Sequence, residues 1–165
     1  MGFSQNSGSS APSDMVLLAT QDMSGGIAEI EWALASYSAY DFYVIYYEVD
    51  SNNGLHLNFN QSAAANYTRI SCTHNALSAA SAQTSVELSS AADDLCVGTL
   101  GFGKATRDSY GVGGYHCGVN ESVAGERTCL KFTRNVDADV THVKISTTGG
   151  NFVAGNIALY GIKIK

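Results

Sequence analysis

From residue 15 to its end the chain runs in short stretches that alternate apolar and polar positions, broken by turn residues. A period of two sends successive side chains to opposite faces of an extended strand. "MVLLAT" at 15–20 reads as a first strand. In "GGIAEIEWALA", Ala28, Ile30, Trp32 and Leu34 share one parity and Glu29 and Glu31 the other, which predicts a half-buried strand with Trp32 inside. "DFYVIYYEV" at 41–49 has aromatic or branched residues on both parities, Phe42 among them, so it is expected centrally, between two layers. The turn signal "SNNG", followed by Leu55, Leu57 and Phe59 in alternation, predicts that this strand and "LHLNFN" form a hairpin.

Downstream, "NYTRISCTH" alternates again, and 76–94 is rich in Ala and Ser, with one short strand candidate, "SVEL". A brief helix would fit there, but its apolar face would be thin. "LCVGTLGFG", "GVGGYHCGV", "TCLKFTRN", "VTHVKIST" and "NIALYGIKIK" complete the series. Short strands of this number and spacing predict an all-β, antiparallel β-sandwich, jelly-roll-like, of about ten strands. It forms a single domain over residues 15–165, preceded by a polar, low-complexity arm at 1–14.

The closing run is the most strand-like. Ile157, Leu159 and Gly161 face one way, and Ala158, Tyr160, Ile162 and Ile164 the other. A strand apolar on both faces is expected inside a sheet, with two neighbours and two covering layers, near the first strand. Gly161 leaves room for a large neighbour, Trp32 or a tyrosine, to close over it. Trp32, Phe42, Leu159, Tyr160, Gly161 and Ile162 are therefore the predicted core and fold residues.

Composition agrees with this. Of 165 residues 45% are hydrophobic and 15% charged, with 17 glycines and one proline, the balance of a globular chain rich in turns. The net charge of −6 is lopsided: residues 1–68 carry seven acids and no Lys or Arg (−7), and residues 69–165 carry nine bases against eight acids (+1). Without clustered cations, nucleic acid is not an expected partner. The N-terminus lacks the basic and apolar regions of a secretory signal, and no apolar run reaches bilayer length, so no membrane contact is expected.

Motifs for chemistry fail on inspection. "GTLGFGK" at 98–104 has phosphate-loop spacing, but Ala105 stands where a magnesium-binding hydroxyl belongs and no helix can start in the turn-rich residues that follow; an inter-strand glycine loop is expected instead. "NVDAD" at 135–139 opens like a calcium loop, then places Val140 where glycine is needed and Ser146 where the closing Glu belongs. His56, His74, His116 and His142 form no ligand motif. Glu29 and Glu31 could pair as glycosidase carboxylates, but they equally fit the wet face of an amphipathic strand. No GxSxG elbow occurs, so no catalytic residue, metal or cofactor is expected. Cys72, Cys96, Cys117 and Cys129 contain no CxxC pair; they fit small buried hydrophobes, disulfides formed after release, or metal ligands. Tyr37, Tyr40, Phe42, Tyr43, Tyr46 and Tyr47 fall within eleven residues, more than one strand face can bury, and Tyr37, Tyr40, Tyr43 and Tyr47 are the candidate interface residues.

The ending "TTGGNFVAGNIALYGIKIK" and the early stretch "LLATQDMSGGIAEIEWALASYSAYDFYVIYYEV" resemble small bacteriophage virion structural proteins, whose β-sandwiches close on a GxIxLYGIK-type strand. The resemblance covers residues 16–49 and 148–165. It implies no catalytic residues. It implies a virion component, made in the host cytoplasm, self-associating as a homotrimer and touching major capsid or tail proteins. The chain is too short for a fibre shaft, which favours a capsid decoration or cement protein over a tail-associated adhesin. A carbohydrate-binding module that takes a host surface glycan is the third possibility.

Overall fold

The computed structural model describes residues 15–51, 53–60, 67–73, 76–89, 94–104, 112–120, 126–134 and 139–163. The expected arm at 1–14, His74, Ile164 and all of the "NVDAD" turn except Asp139 lie outside them. Twelve strands are described: β1 (Met15–Asp22), β2 (Glu29–Ala33), β3 (Phe42–Ser51), β4 (Leu55–Phe59), β5 (Tyr67–Thr73), β6 (Ala76–Gln83), β7 (Val86–Ser89), β8 (Asp94–Gly103), β9 (Val112–Asn120), β10 (Glu126–Arg134), β11 (His142–Thr147) and β12 (Phe152–Ile162). A 3-10 turn, Leu34–Tyr37, follows β2. The strands form two antiparallel sheets, one of eight in the order β1-β12-β3-β8-β9-β10-β5-β6 and one of four in the order β2-β11-β4-β7. The fold is the β-sandwich that the alternation predicts.

Three expectations need correction. The described part of the Ala- and Ser-rich stretch, residues 76–89, forms two strands rather than a helix: β6 pairs with β5, and β7 with β4. A thin apolar face gives a helix little to bury, whereas an edge strand satisfies its backbone against a neighbour. Next, β3 and β4 are not a hairpin, because β3 belongs to the large sheet and β4 to the small one. The chain turns the corner at Ser51, whose hydroxyl donates to the Asn53 carbonyl at 2.6 Å, and the Asn53 amide donates to the Gly149 carbonyl. Crossing between sheets lets both strands turn an apolar face to one core. Finally, "GTLGFGK" is no loop; all but its lysine lies within β8.

The last strand is interior, as expected: β12 pairs with β1 on one side and β3 on the other. Its neighbour β3 is equally central. The second sheet covers both on the inner face only; on the outer face Val44 alone of the β3 side chains is buried. Ile157, Leu159 and Gly161 point inward, and a methyl group on Gly161 would run into the Tyr40 ring and Leu18. Tyr40 is thus the large neighbour that closes over this glycine. Trp32 and Leu159 are core residues. Phe42, Tyr160 and Ile162 carry the opposite parity and are only half-buried, on the outer face of the large sheet, which corrects their assignment to the core.

The two sheets meet through aromatic rings. Phe59 of β4 reaches across to Phe102 of β8, Phe132 of β10 and Tyr67 of β5, at ring-centroid distances of 4.9, 5.9 and 6.3 Å. At the far end of β12, Gly155 sits just after a register shift with φ +113°, and a Cβ there would collide with the backbone of Glu48 and Val49. Gly155→Ala is therefore expected to destabilise the fold by about 2–4 kcal/mol, from left-handed strain and backbone overlap together. Urea denaturation measures this; a loss below about 1 kcal/mol would mean that β3 and β12 separate easily at this point.

Candidate interaction face

The outer face of the large sheet follows from register. Thr20, Ala158, Tyr46, Thr99, Cys117 and Cys129 are consecutive cross-strand partners over β1, β12, β3, β8, β9 and β10. Side chains in one such row share a face. No strand of the small sheet covers this side, and Leu17, Tyr46, Val97, Tyr115 and Val119 on it are 43–52% exposed. Two aromatic pairs stiffen it. Tyr46 meets Tyr160 edge-on at 5.5 Å, and Phe42 stacks with Tyr115 at 6.4 Å. Tyr115 lies flat because Gly101 beneath it has no side chain; a Cβ there would strike its ring.

Small residues between these ridges leave a depression of about 760 Å³. Its floor passes over Gly98, Gly118 and Ala158, and Tyr46, Val97 and Val119 rise around it. Thr20, Glu48, Thr99 and Asn156 add polar groups to an otherwise apolar lining. Gly98 has a second reason to be glycine, since the Tyr47 ring occupies the space its Cβ would need on the inner side.

The candidate interface tyrosines divide by parity. Tyr43 and Tyr47 point inward and are buried in the monomer, so they are core residues and not interface residues. The Tyr43 hydroxyl donates to the Tyr37 carbonyl at 2.9 Å. Burial pushes the Tyr43 phenol above its ordinary range, with Asp41 adding to the shift. Tyr37 and Tyr40 are half-buried and pack against the core. The tyrosine of this cluster that does face outward is Tyr46. Glu48 and Asp50 share its parity on β3, a solvent-side signal already present in the sequence. Val97, Tyr115 and Val119 could have been found in the same way, by taking Leu100, Phe102 and His116 as the inward parity of their strands.

Beneath the floor, Tyr47 and His116 form a buried pair with a hydroxyl-to-Nε2 distance of 2.5 Å and stacked rings. Burial raises the Tyr47 phenol far above its ordinary value and pushes His116 down to about 4. The phenol therefore donates to a neutral imidazole. The ring's own proton then sits on Nδ1, which has no partner among the described residues. His116 is fully buried and Tyr47 almost so, with part of Tyr47 reaching the lining of the depression. His56 accepts or donates at the Ser85 hydroxyl (2.8 Å), and His142 lies 3.0 Å from that of Thr141.

Other candidate chemistry disperses. Glu29 and Glu31 both stand on the wet side of β2, and Glu29 pairs with Lys144 at 3.1 Å. Among the described residues no cluster of three or more His, Cys, Asp or Glu is arranged to hold a metal ion. Cys96 is buried beside the Ser89 hydroxyl at 3.5 Å, as a small hydrophobe would be. Cys117 and Cys129 are exposed, because their parity is the outer one. No helix among the described residues is long and apolar enough to cross a membrane. No protein-family model matches the chain, and no curated protein matches it either.

Proposed function

We propose that this chain is a non-enzymatic bacteriophage virion structural protein, a capsid decoration or cement protein that works through contacts with copies of itself and with the particle surface. One observation carries the proposal: the outer face of the eight-stranded sheet exposes large apolar side chains on β1, β3, β8, β9 and β5, from Leu17 at one edge to Ile70 near the other. Seven inter-strand spacings of about 4.8 Å make this plate roughly 34 Å wide. With strands roughly 30 Å long, its area is on the order of 1,000 Å², which exceeds the roughly 800 Å² per partner of a standard stable interface. A face of that extent that leaves large apolar side chains in solvent among Glu48, Asp50 and Lys131 fits a protein partner.

The occupant favoured here is a second copy, arranged in a closed homotrimer. Edge strand β1 supports this. It presents Met15, Val16 and Leu17 to solvent and carries no lysine or arginine to discourage pairing. The similarity of the first and last strands to phage particle proteins supplies the biological setting, and the scarcity of basic residues sets the packaged genome aside as a partner.

The protein is expected to elute as a trimer of about 52 kDa, three times the 17.3 kDa chain, in light scattering coupled to size exclusion. Val119→Asp, which places an uncompensated charge on the plate, is expected to shift it to monomer while leaving the fold intact. A wild-type protein that stays monomeric at high micromolar concentration would overturn the self-association. Densitometry of purified virions tests placement: a decoration protein is present in very many copies, a tail adhesin in few. The depression favours a second reading, a receptor-binding module, because Tyr46 offers a ring for stacking beside the hydrogen-bonding groups of Glu48, Thr99 and Asn156. Glycan binding by the isolated protein that Tyr46→Ala abolishes would select that reading.

A further inference from the structure

We propose that Cys117 and Cys129 form a redox-sensitive latch, converting from two thiols to a cross-strand disulfide across the floor of the outer depression. The two residues are direct Cα partners in the β9–β10 ladder. Opposed residues of an antiparallel ladder stand about 4.5 or 5.5 Å apart at Cα, and both values fall within the roughly 4.4–6.8 Å that disulfides span. Both side chains are exposed on the same face and both line the depression. The nearby Cys129 thiol, followed by burial, pushes Cys117 up to about 11. The pair is therefore in place before any oxidation, and the backbone need not move to join it.

Register adds a third cysteine. Cys72 on β5 is the Cα partner of Cys129 from the other side, so one row crosses three adjacent strands with cysteine at each. The pair proposed to close is Cys117 with Cys129, which both line the depression, and the identity of the linked peptides distinguishes it from a Cys72–Cys129 bond. The chemistry needs a two-electron oxidant, for which a small disulfide such as oxidised glutathione serves. One protein thiolate attacks it, forming a mixed disulfide and releasing one glutathione. The second protein thiolate displaces the other glutathione and closes the S–S bond. Two electrons pass from the protein sulfurs to the glutathione sulfurs, and the two thiol protons end on two molecules of reduced glutathione. Because the thiolate is the nucleophile, the raised Cys117 thiol makes closure slow at neutral pH and faster as pH rises. The latch is open in a reducing compartment and closes in an oxidising one. It joins the two arms of the β9–β10 hairpin, and with them one side of the depression.

The test uses the full chain, folded, treated with oxidised glutathione, alkylated and digested with trypsin. Cys117 then lies on peptide 108–127, Cys129 on peptide 128–131, and Cys72 with Cys96 on peptide 70–104. The expected product is 108–127 joined to 128–131, with two of the four thiols lost and a melting temperature roughly 5–10 °C higher than that of the reduced protein. Cys72→Ser retains this product and the shift, and Cys117→Ser abolishes both. The proposal is overturned if 128–131 is joined to 70–104 instead, if the link is between chains on a non-reducing gel, or if all four thiols persist in excess oxidant at pH 9. Protection of the thiols by stoichiometric zinc, with no link formed, would equally overturn it in favour of a metal site. None of these outcomes depends on the oligomeric state.

Discussion

Phe59→Ala is expected to lower the unfolding free energy by about 3–5 kcal/mol, a large fraction of what holds a domain of this size together. Phe59 is fully buried and is the one small-sheet ring in contact with three large-sheet rings among the described residues, those of Tyr67, Phe102 and Phe132. Removing it costs the transfer free energy of the ring and leaves a cavity between rings that are fixed by their own strands. The Phe59 amide, meanwhile, still donates to the Tyr67 hydroxyl at 2.7 Å. That bond holds β4 in place and hinders collapse around the void. Phe59→Leu, which keeps most of the volume, is expected to cost less than half as much. Chemical denaturation of both variants measures the difference. A loss below about 1 kcal/mol for the alanine variant would mean that the sheets are not joined through this ring.

Acidification is expected to destabilise the protein through His116. In the unfolded chain its imidazole titrates near its ordinary value of 6.5; in the folded protein burial pushes it down to about 4. Between these values the unfolded state binds a proton that the folded state refuses, so stability rises with pH across this window. The contribution is fully present above about pH 6.5 and is lost as pH falls toward 4. A shift of this size corresponds to about 3 kcal/mol. His116→Gln can still accept from the Tyr47 hydroxyl but cannot titrate, and it is expected to flatten the pH dependence over this range. Thermal melts of both proteins from pH 4 to pH 7.5 give the comparison. Parallel curves would show that other groups govern the acid response.

Much of the fold was legible because strand alternation is a local signal. Trp32 inside, and Glu29 and Glu31 outside, follow from side-chain parity along single segments, as does the interior place of the last strand. The glycine at 161 announced a close approach, and Tyr40 makes it. What failed were inferences about partners. "DFYVIYYEV" is apolar on both parities, and a buried layer on each side was the natural conclusion. The structure leaves the Tyr46 side uncovered, so the same pattern marks an interaction face instead. The tyrosine cluster misled for a related reason. Tyr43 and Tyr47 share the parity of Ile45 and Val49, and a tyrosine whose hydroxyl finds a partner is content in a core. Exposure went to Tyr46, which the crowding of aromatics did not single out.

The amino-acid order alone determined that this chain is built from short antiparallel strands, which residues of each strand share a face, and that its final strand lies within a sheet. These follow from steric alternation along a few consecutive residues, which no distant contact can reverse. Only the tertiary structure decided which strands became neighbours, and therefore which side of the large sheet stayed bare. It alone set Cys117 opposite Cys129 and His116 beside Tyr47, pairs that are 12 and 69 residues apart in the chain. Such pairings depend on sheet order and register. Those are fixed by how the whole set of apolar faces closes on one core, a condition that no single segment carries.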